Sequence, residues 1–272
     1  MKDRGQIFIM GLVMMMTVVL IISIFAGQLN MKTKASEETA KENTVREDTV
    51  PAKESLSVEE SVVADDSSET ISQEPEFVTS DSSYFDNALF IGDSRTVGLC
   101  EYGTLDNADY FASTGMSIYK LWDETLSVEN VGRVTLEELL NVKQYGKIYM
   151  MLGINELGYK VEKTIEENQM TIQKMKEQQP DAVIYLCANL HVTKARSGRD
   201  ELINNNRIDK FNHRLETLTD NKGIYYIDVN EEFDDETGNL RAECTGDDVH
   251  VYAKYYQDWC EWLCENTVQR GN

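Results

Sequence analysis

From Tyr84 onward the apolar residues fall into an alternation that few folds accommodate: short β-rich runs separated by longer stretches of helical period. The strand candidates are Ala88 to Ile91, Asp109 to Ala112, Lys147 to Leu152, Ala182 to Ala188 and Ile224 to Val229. Near-continuous apolar runs of this kind suit strands covered on both faces. Between them the period predicts helices after Ser94 and over Ser117 to Leu126, Thr135 to Val142, Val161 to Gln178, Glu201 to Thr219 and Val251 to Thr267. The fifth puts Leu202, Ile208, Phe211, Leu215 and Leu218 roughly along one face, and Pro180 is a stop for the fourth. Strands alternating with helices predict a three-layer α/β/α domain around a mostly parallel, five-stranded sheet. Sites in such sheets form beyond the carboxyl ends of the strands, which is where candidate residues are sought.

The alternation occupies only part of the chain. Ile7 to Ala26 is a run of about 20 apolar or small residues without a charge, long enough at about 1.5 Å per residue to cross a bilayer's hydrocarbon core. Lys2 and Arg4 precede it, so residues 1–30 read as a cytoplasmic tip and a transmembrane anchor that leaves everything after it outside. A cleaved signal peptide is the alternative, but the run is long for one and Ile24-Phe25-Ala26 is a poor cleavage site. Residues 31–83 are rich in Glu, Asp, Ser and Thr, with no aromatic before Phe77, and read as a disordered acidic linker. Residues 84–272 form the folded domain.

The linker carries a large share of the formal net charge of −22. No Lys/Arg cluster or basic-aromatic stripe suggests nucleic acid. The five cysteines, Cys100, Cys187, Cys244, Cys260 and Cys264, lack any CxxC spacing and read as free thiols rather than zinc ligands or a disulfide framework. No HExxH or comparable metal set is present, and no cofactor is expected.

At the end of the first strand candidate stands Gly92-Asp93-Ser94-Arg95, with a helix starting at Ser94. Asp93 or Ser94 could simply cap that helix. A serine hydroxyl becomes a nucleophile only when a base takes its proton. Of the three histidines, His250 stands in Gly246-Asp247-Asp248-Val249-His250, where Asp247 can turn back onto the imidazole and orient it. His213, inside a helix candidate, reads as a surface or packing residue, whereas His191, beyond the fourth strand, is a possible substrate contact. Two other strand ends offer donors for an oxyanion: Gly115 in Ala112-Ser113-Thr114-Gly115, and Asn155 in Leu152-Gly153-Ile154-Asn155-Glu156.

Taken jointly, these blocks resemble the SGNH (GDSL-type) hydrolase family, whose Ser, Gly, Asn and His occur in the order Ser94, Gly115, Asn155, His250. The resemblance runs from Tyr84 to about Asn266 and implies a flavodoxin-like α/β/α fold. In it Ser94 attacks, His250 is the base, Asp247 orients it, and the Ser94 N–H, Gly115 N–H and Asn155 amide form the oxyanion hole. Arg95 and Glu156 depart from the family's usual residues and are further possible substrate contacts, although Arg95 can equally pair with Glu156 or Asp93, the structural reading that is preferred. The expected activity is extracytoplasmic hydrolysis of acetyl or other short acyl esters, on a small molecule or a glycan. Acyl transfer to an envelope glycan with a separate membrane partner, and a non-catalytic surface binding module, are the alternatives.

Overall fold

A computed structural model describes residues 76–269. The apolar run at residues 7–26 and the linker up to residue 75 lie outside the described residues. Among the described residues, no helix is long and apolar enough to cross a membrane.

The chain begins its sheet with β1 (Ala88–Gly92), followed by α1 (Ser94–Tyr102), β2 (Asp109–Ala112) and a hairpin of β3 (Thr125–Val128) and β4 (Gly132–Thr135). Then come α2 (Leu136–Val142), β5 (Lys147–Met151), α3 (Val161–Gln178), β6 (Val183–Cys187), α4 (Lys194–Arg199) and α5 (Asn205–Glu216). The last elements are β7 (Ile224–Ile227), α6 (Asn230–Phe233) and α7 (Tyr256–Glu265). The main sheet has five strands in the order β2-β1-β5-β6-β7, every pair parallel. With the β3–β4 hairpin set aside, this is the 2-1-3-4-5 order of flavodoxin-like sheets, whose switch point lies between the first strand and its neighbour on the far side.

Alternation along the strands divides the core in two. Leu89, Ile91, Phe111, Ile148, Met150, Ile184 and Leu186 point to the face covered by α2, α3 and α5. Phe90, Tyr149, Met151, Val183, Tyr185 and Ile227 point to the other, where Leu99 of α1 and Trp259, Trp262 and Leu263 of α7 cover them. Strands buried on both faces explain why the runs are continuously apolar. In-register pairing also lines up Tyr110, Phe90, Tyr149, Tyr185 and Tyr225 as one aromatic row across all five strands. Its closest rings, Tyr149 and Tyr185, stack at 4.3 Å between centroids. Such pairs contribute about 0.5–1.5 kcal/mol each beyond their buried area.

Four expectations are corrected. The helix expected over Ser117 to Leu126 does not form: Ser117 to Glu124 is a run of turns, and Thr125 opens the β3–β4 hairpin. Asn130 and Gly132 adopt positive φ (59° and 103°) in the connecting turn, and the alternation of Leu126 and Val128 with polar neighbours is a strand period. The helix expected from Glu201 starts at Asn205, because the Asn204 side chain accepts from the Arg207 N–H as its N-cap; Leu202 precedes it and is exposed. The last helix starts at Tyr256, since Val251 is occupied in an antiparallel bridge to Thr245. Finally, the last residues of the linker expected over residues 31–83 are ordered against the domain. Val78 bridges Thr267, the Ser80 N–H donates to the Cys264 carbonyl at 2.8 Å, and Ser82–Phe85 forms a 3-10 turn.

Candidate active site

Register decides which residues meet. Gly92 pairs with Ala112 of β2 and with Met151 of β5, so the segments after β1, β2 and β5 leave the sheet level with one another. A side chain at Gly92 could not fit: a Cβ there would lie 2.0 Å from Thr96 Oγ1 and 2.9 Å from the Met151 carbonyl oxygen. Asp93 then caps α1, its Oδ1 accepting from the Arg95 N–H at 2.9 Å, which frees Ser94 from capping duty and places it in the first turn.

The Ser94 hydroxyl lies 2.8 Å from His250 Nε2. His250 is carried by the loop that the Thr245–Val251 bridge closes, and Asp247 organises that loop from within. Asp247 Oδ1 accepts from the Val249 N–H at 3.0 Å and the His250 N–H at 2.8 Å, while Oδ2 faces His250 Nδ1 at 2.7 Å. Partial burial pushes the Asp247 carboxyl up, but the His250 N–H and imidazole and the Val249 N–H outweigh it and hold the group well below the usual carboxylate range. An ionised Asp247 only accepts, so the proton sits on Nδ1 and Nε2 is left to accept from Ser94. Asp248, at φ 72°, makes the turn and faces away, accepting from Thr193 Oγ1 at 2.8 Å and Arg199 Nη2 at 2.6 Å.

Gly115 is exposed, holds φ 77°, and has no atom within 4 Å of where a Cβ would sit, so it is the conformation and not crowding that calls for glycine. Asn155 is exposed in the 3-10 turn Ile154–Glu156; its Nδ2 donates to the Met116 carbonyl at 2.8 Å, tying the third strand end to the second. A primary amide has a second N–H to offer. Gly153 precedes this turn at φ 144°, and a Cβ on it would lie 2.3 Å from Phe211 Cε1.

The other three site candidates lie elsewhere. Arg95 is 1% exposed and Glu156 2%, so both side chains are interior rather than displayed on the open surface. Arg95 Nη2 donates to the Val249 carbonyl at 3.4 Å, behind the histidine loop, with the fully buried Asp93 as its charged neighbour. Glu156 Oε1 accepts from the Ile118 N–H. Burial pushes the Glu156 carboxyl up to about 7 against the pull of that N–H, and the charge of Asp93 adds to the rise. His191 is gripped by two carboxylates, Nδ1 at 2.5 Å from Asp234 and Nε2 at 2.8 Å from Asp209. His213 is exposed on α5.

Sequence reasoning missed a buried amide brace under the site. Asn189 Oδ1 accepts from the Ile154 N–H at 2.9 Å, the Asn189 N–H donates to Asn212 Oδ1 at 2.9 Å, and Asn212 and Asn230 both donate to the Asn189 carbonyl. Its one signal was an asparagine, Asn212, set among the apolar Ile208, Phe211 and Leu215 of a helix. Among the described residues no cluster of three potential metal ligands occurs.

A parallel sheet of this order, with a serine at the end of β1 held by a histidine and an aspartate, defines a serine hydrolase. Residues 90–257, more than half of the chain, match the GDSL-like Lipase/Acylhydrolase family. The chain belongs to that family and is an ester-hydrolysing serine hydrolase. Among curated proteins none matches it. Solved structures share the fold at low identity. A Streptococcus pneumonia protein described as a platelet activating factor is 21% identical, with 72% of this chain and 84% of that one covered at a TM-score of 0.50. A Bacteroides fragilis protein described as an acylhydrolase is 15% identical, with coverage of 71% and 88% and a TM-score of 0.51. A GDSL-like lipase of Bacteroides thetaiotaomicron is 16% identical, with coverage of 66% and 86% and a TM-score of 0.50.

Proposed function

We propose that this chain is a membrane-anchored, extracytoplasmic bacterial esterase that removes acetyl or other short acyl groups from carbohydrate. In the proposed cycle His250 Nε2 takes the proton as Ser94 Oγ bonds to the ester carbonyl carbon, while Asp247 stabilises the imidazolium. The negative oxygen of the tetrahedral intermediate is met by the Ser94 N–H, the Gly115 N–H and the free N–H of Asn155. Collapse breaks the bond to the alcohol oxygen, which leaves with the proton from His250. A water activated by the same nitrogen then releases the carboxylic acid and restores Ser94.

The observation that carries this reading is the 2.8 Å contact of Ser94 Oγ with His250 Nε2, backed at 2.7 Å by Asp247. A site whose serine is half-buried and whose Gly115 and Asn155 are exposed suits an ester borne on a polymer. The apolar run at residues 7–26, preceded by Lys2 and Arg4, supports the location. The test is hydrolysis of a p-nitrophenyl ester series by the full chain beside its Ser94→Ala variant. Activity is expected on acetate above longer acyl chains, with a loss of about 10⁴-fold or more in the variant. Equal rates for the two proteins overturn the mechanism; Ser94-dependent activity without a short-chain preference overturns the acyl assignment alone.

A further inference from the structure

The turn that carries Asn155 borders a concavity. A cavity of about 340 Å³ opens between the turn of Glu156 and Leu157, the start of α3, and the face of α5. Its wall carries three exposed cations, Lys160, Arg207 and Lys210, in a chain of formal net charge −22. Glu162, 3.9 Å from Lys210 Nζ, is the acid at its rim. The 18-residue α3 begins at this wall with no side-chain cap; the Lys163 and Thr164 N–H groups turn back to the Lys160 carbonyl, and the Val161 and Glu162 N–H groups ahead of them lie at the helix's positive end. Glu156, buried, also lines it, and Glu156 Oε2 finds no partner among the described residues. An unpaired buried carboxyl oxygen calls for a hydroxyl or water to satisfy it. Tyr159 stands exposed at the edge, its ring 4.9 Å from that of Tyr119.

One ligand chemistry answers all of these. A sugar ring lays its C–H face on an aromatic ring, gives a hydroxyl to Glu156, and, if it bears an acid group, presents that group to the α3 N-terminus and the lysines. We propose that this cavity is a subsite for an anionic sugar unit, a uronate or a sugar phosphate, neighbouring the acylated unit. The inference rests on the esterase reading and narrows its substrate to acylated acidic glycan. Glu156 directly follows Asn155, so the subsite is built on the same turn that carries the oxyanion donor Asn155.

The test uses the full chain bearing Ser94→Ala, which holds an ester uncleaved. Calorimetric titrations compare an O-acetylated oligogalacturonate, an O-acetylated hexose phosphate, and an O-acetylated cello-oligosaccharide as the neutral reference. At least one acidic probe is expected to bind about 10-fold or more tightly than the neutral one. That advantage is expected to vanish in Lys160→Gln/Lys210→Gln and to shrink in high salt. With Ser94 restored, the ratio of kcat/KM for acidic over neutral ester falls by the same factor in the double variant. Which acidic probe binds distinguishes uronate from phosphate. Equal affinity for all three probes, or an advantage the double variant keeps, overturns the subsite. Absence of Ser94-dependent p-nitrophenyl acetate hydrolysis instead strikes the esterase reading, and the titrations report on the subsite regardless.

Discussion

Two histidines stand in similar company and are put to opposite use. Each turns Nδ1 onto an aspartate, His250 at 2.7 Å from Asp247 and His191 at 2.5 Å from Asp234. They differ at Nε2, where His250 meets the Ser94 hydroxyl and His191 meets a second carboxylate, Asp209. Burial alone would push His191 down, but its two carboxylates outweigh burial and raise its pKa above the usual histidine value. A proton held from both sides is not available for transfer, and Nε2 has no lone pair to offer. His191 side chain is 13% exposed against 40% for His250, so it is also shielded from a substrate. A base therefore needs one carboxylate to orient it and a neutral hydroxyl opposite; a second carboxylate turns the same ring into a clasp between α5 and the chain after α6.

The sharpest way to break this contrast is to remove each ring in turn. His250→Ala is expected to lower kcat for p-nitrophenyl acetate by about 10⁴-fold or more, whereas His191→Ala changes it by no more than a few fold. Equal losses in the two variants, with both folded by circular dichroism, would erase the distinction. The aspartates give the next largest effect. Asp247→Asn, which can present an amide N–H to Nδ1 and so favour the wrong tautomer, is expected to cost about 10²- to 10⁴-fold in kcat. Asp234→Asn is expected to leave kcat near wild type and to destabilise the fold by about 1–3 kcal/mol, read by urea denaturation.

The two regions were not equally legible. The central strands β1, β5 and β6 could be read because strands covered on both faces are apolar at nearly every position, as in Leu89-Phe90-Ile91 and Ile148-Tyr149-Met150. Ser94, Gly115 and Asn155 each follow one of those strands directly, and Asp247 lies three residues from His250, so local sequence carries them. The His191 clasp joins residues from the β6 exit, α5 and the chain after α6, and nothing local signals Asp209 or Asp234. The β3–β4 hairpin escaped because Ile118, Leu121 and Leu126 mimic a helical spacing across what is in fact a run of turns. For Arg95 the sequence leaves open an anionic substrate group or a pairing with Asp93 or Glu156, and neighbouring residues alone do not decide between them. Only the packing of α1 and the Ile154–Glu156 turn reveals Arg95 and Glu156 as interior.

Glu156 extends the comparison to a carboxyl that has no ion pair among the described residues. Its value is raised to about 7, so ionising it costs stability. The unfolded chain releases this proton near pH 4.3, and between there and about pH 7 the folded protein binds more protons than the unfolded one. Stability contributed by the neutral carboxyl is therefore present at low pH and falls as pH rises through that window. Glu156→Gln keeps an acceptor for the Ile118 N–H and removes the titration. Thermal melts of the variant are expected to show a flatter dependence from pH 5 to 8 and a higher midpoint than wild type at pH 8. A wild-type slope that survives the substitution would assign the titration to another group.

The smallest effect comes from converting the clasp into something closer to the base. Asp209→Asn leaves His191 one carboxylate, as His250 has, and the pKa raised by the pair is expected to drop. A group raised in the folded state stabilises fully below its unfolded value, near 6.5, and loses that contribution as pH rises through the folded value. Wild type should thus lose a little stability on going from pH 6 to 8, and Asp209→Asn should lose less and over a lower range. Asp209 is mostly exposed, so the difference at pH 6 is expected below about 1 kcal/mol, a shift of no more than about 2–4 °C in Tm. Histidine resonances followed by NMR report the same change directly. If His191 titrates identically in both proteins, Asp209 contributes nothing to holding its proton, and Asp234 alone separates the clasp from the base.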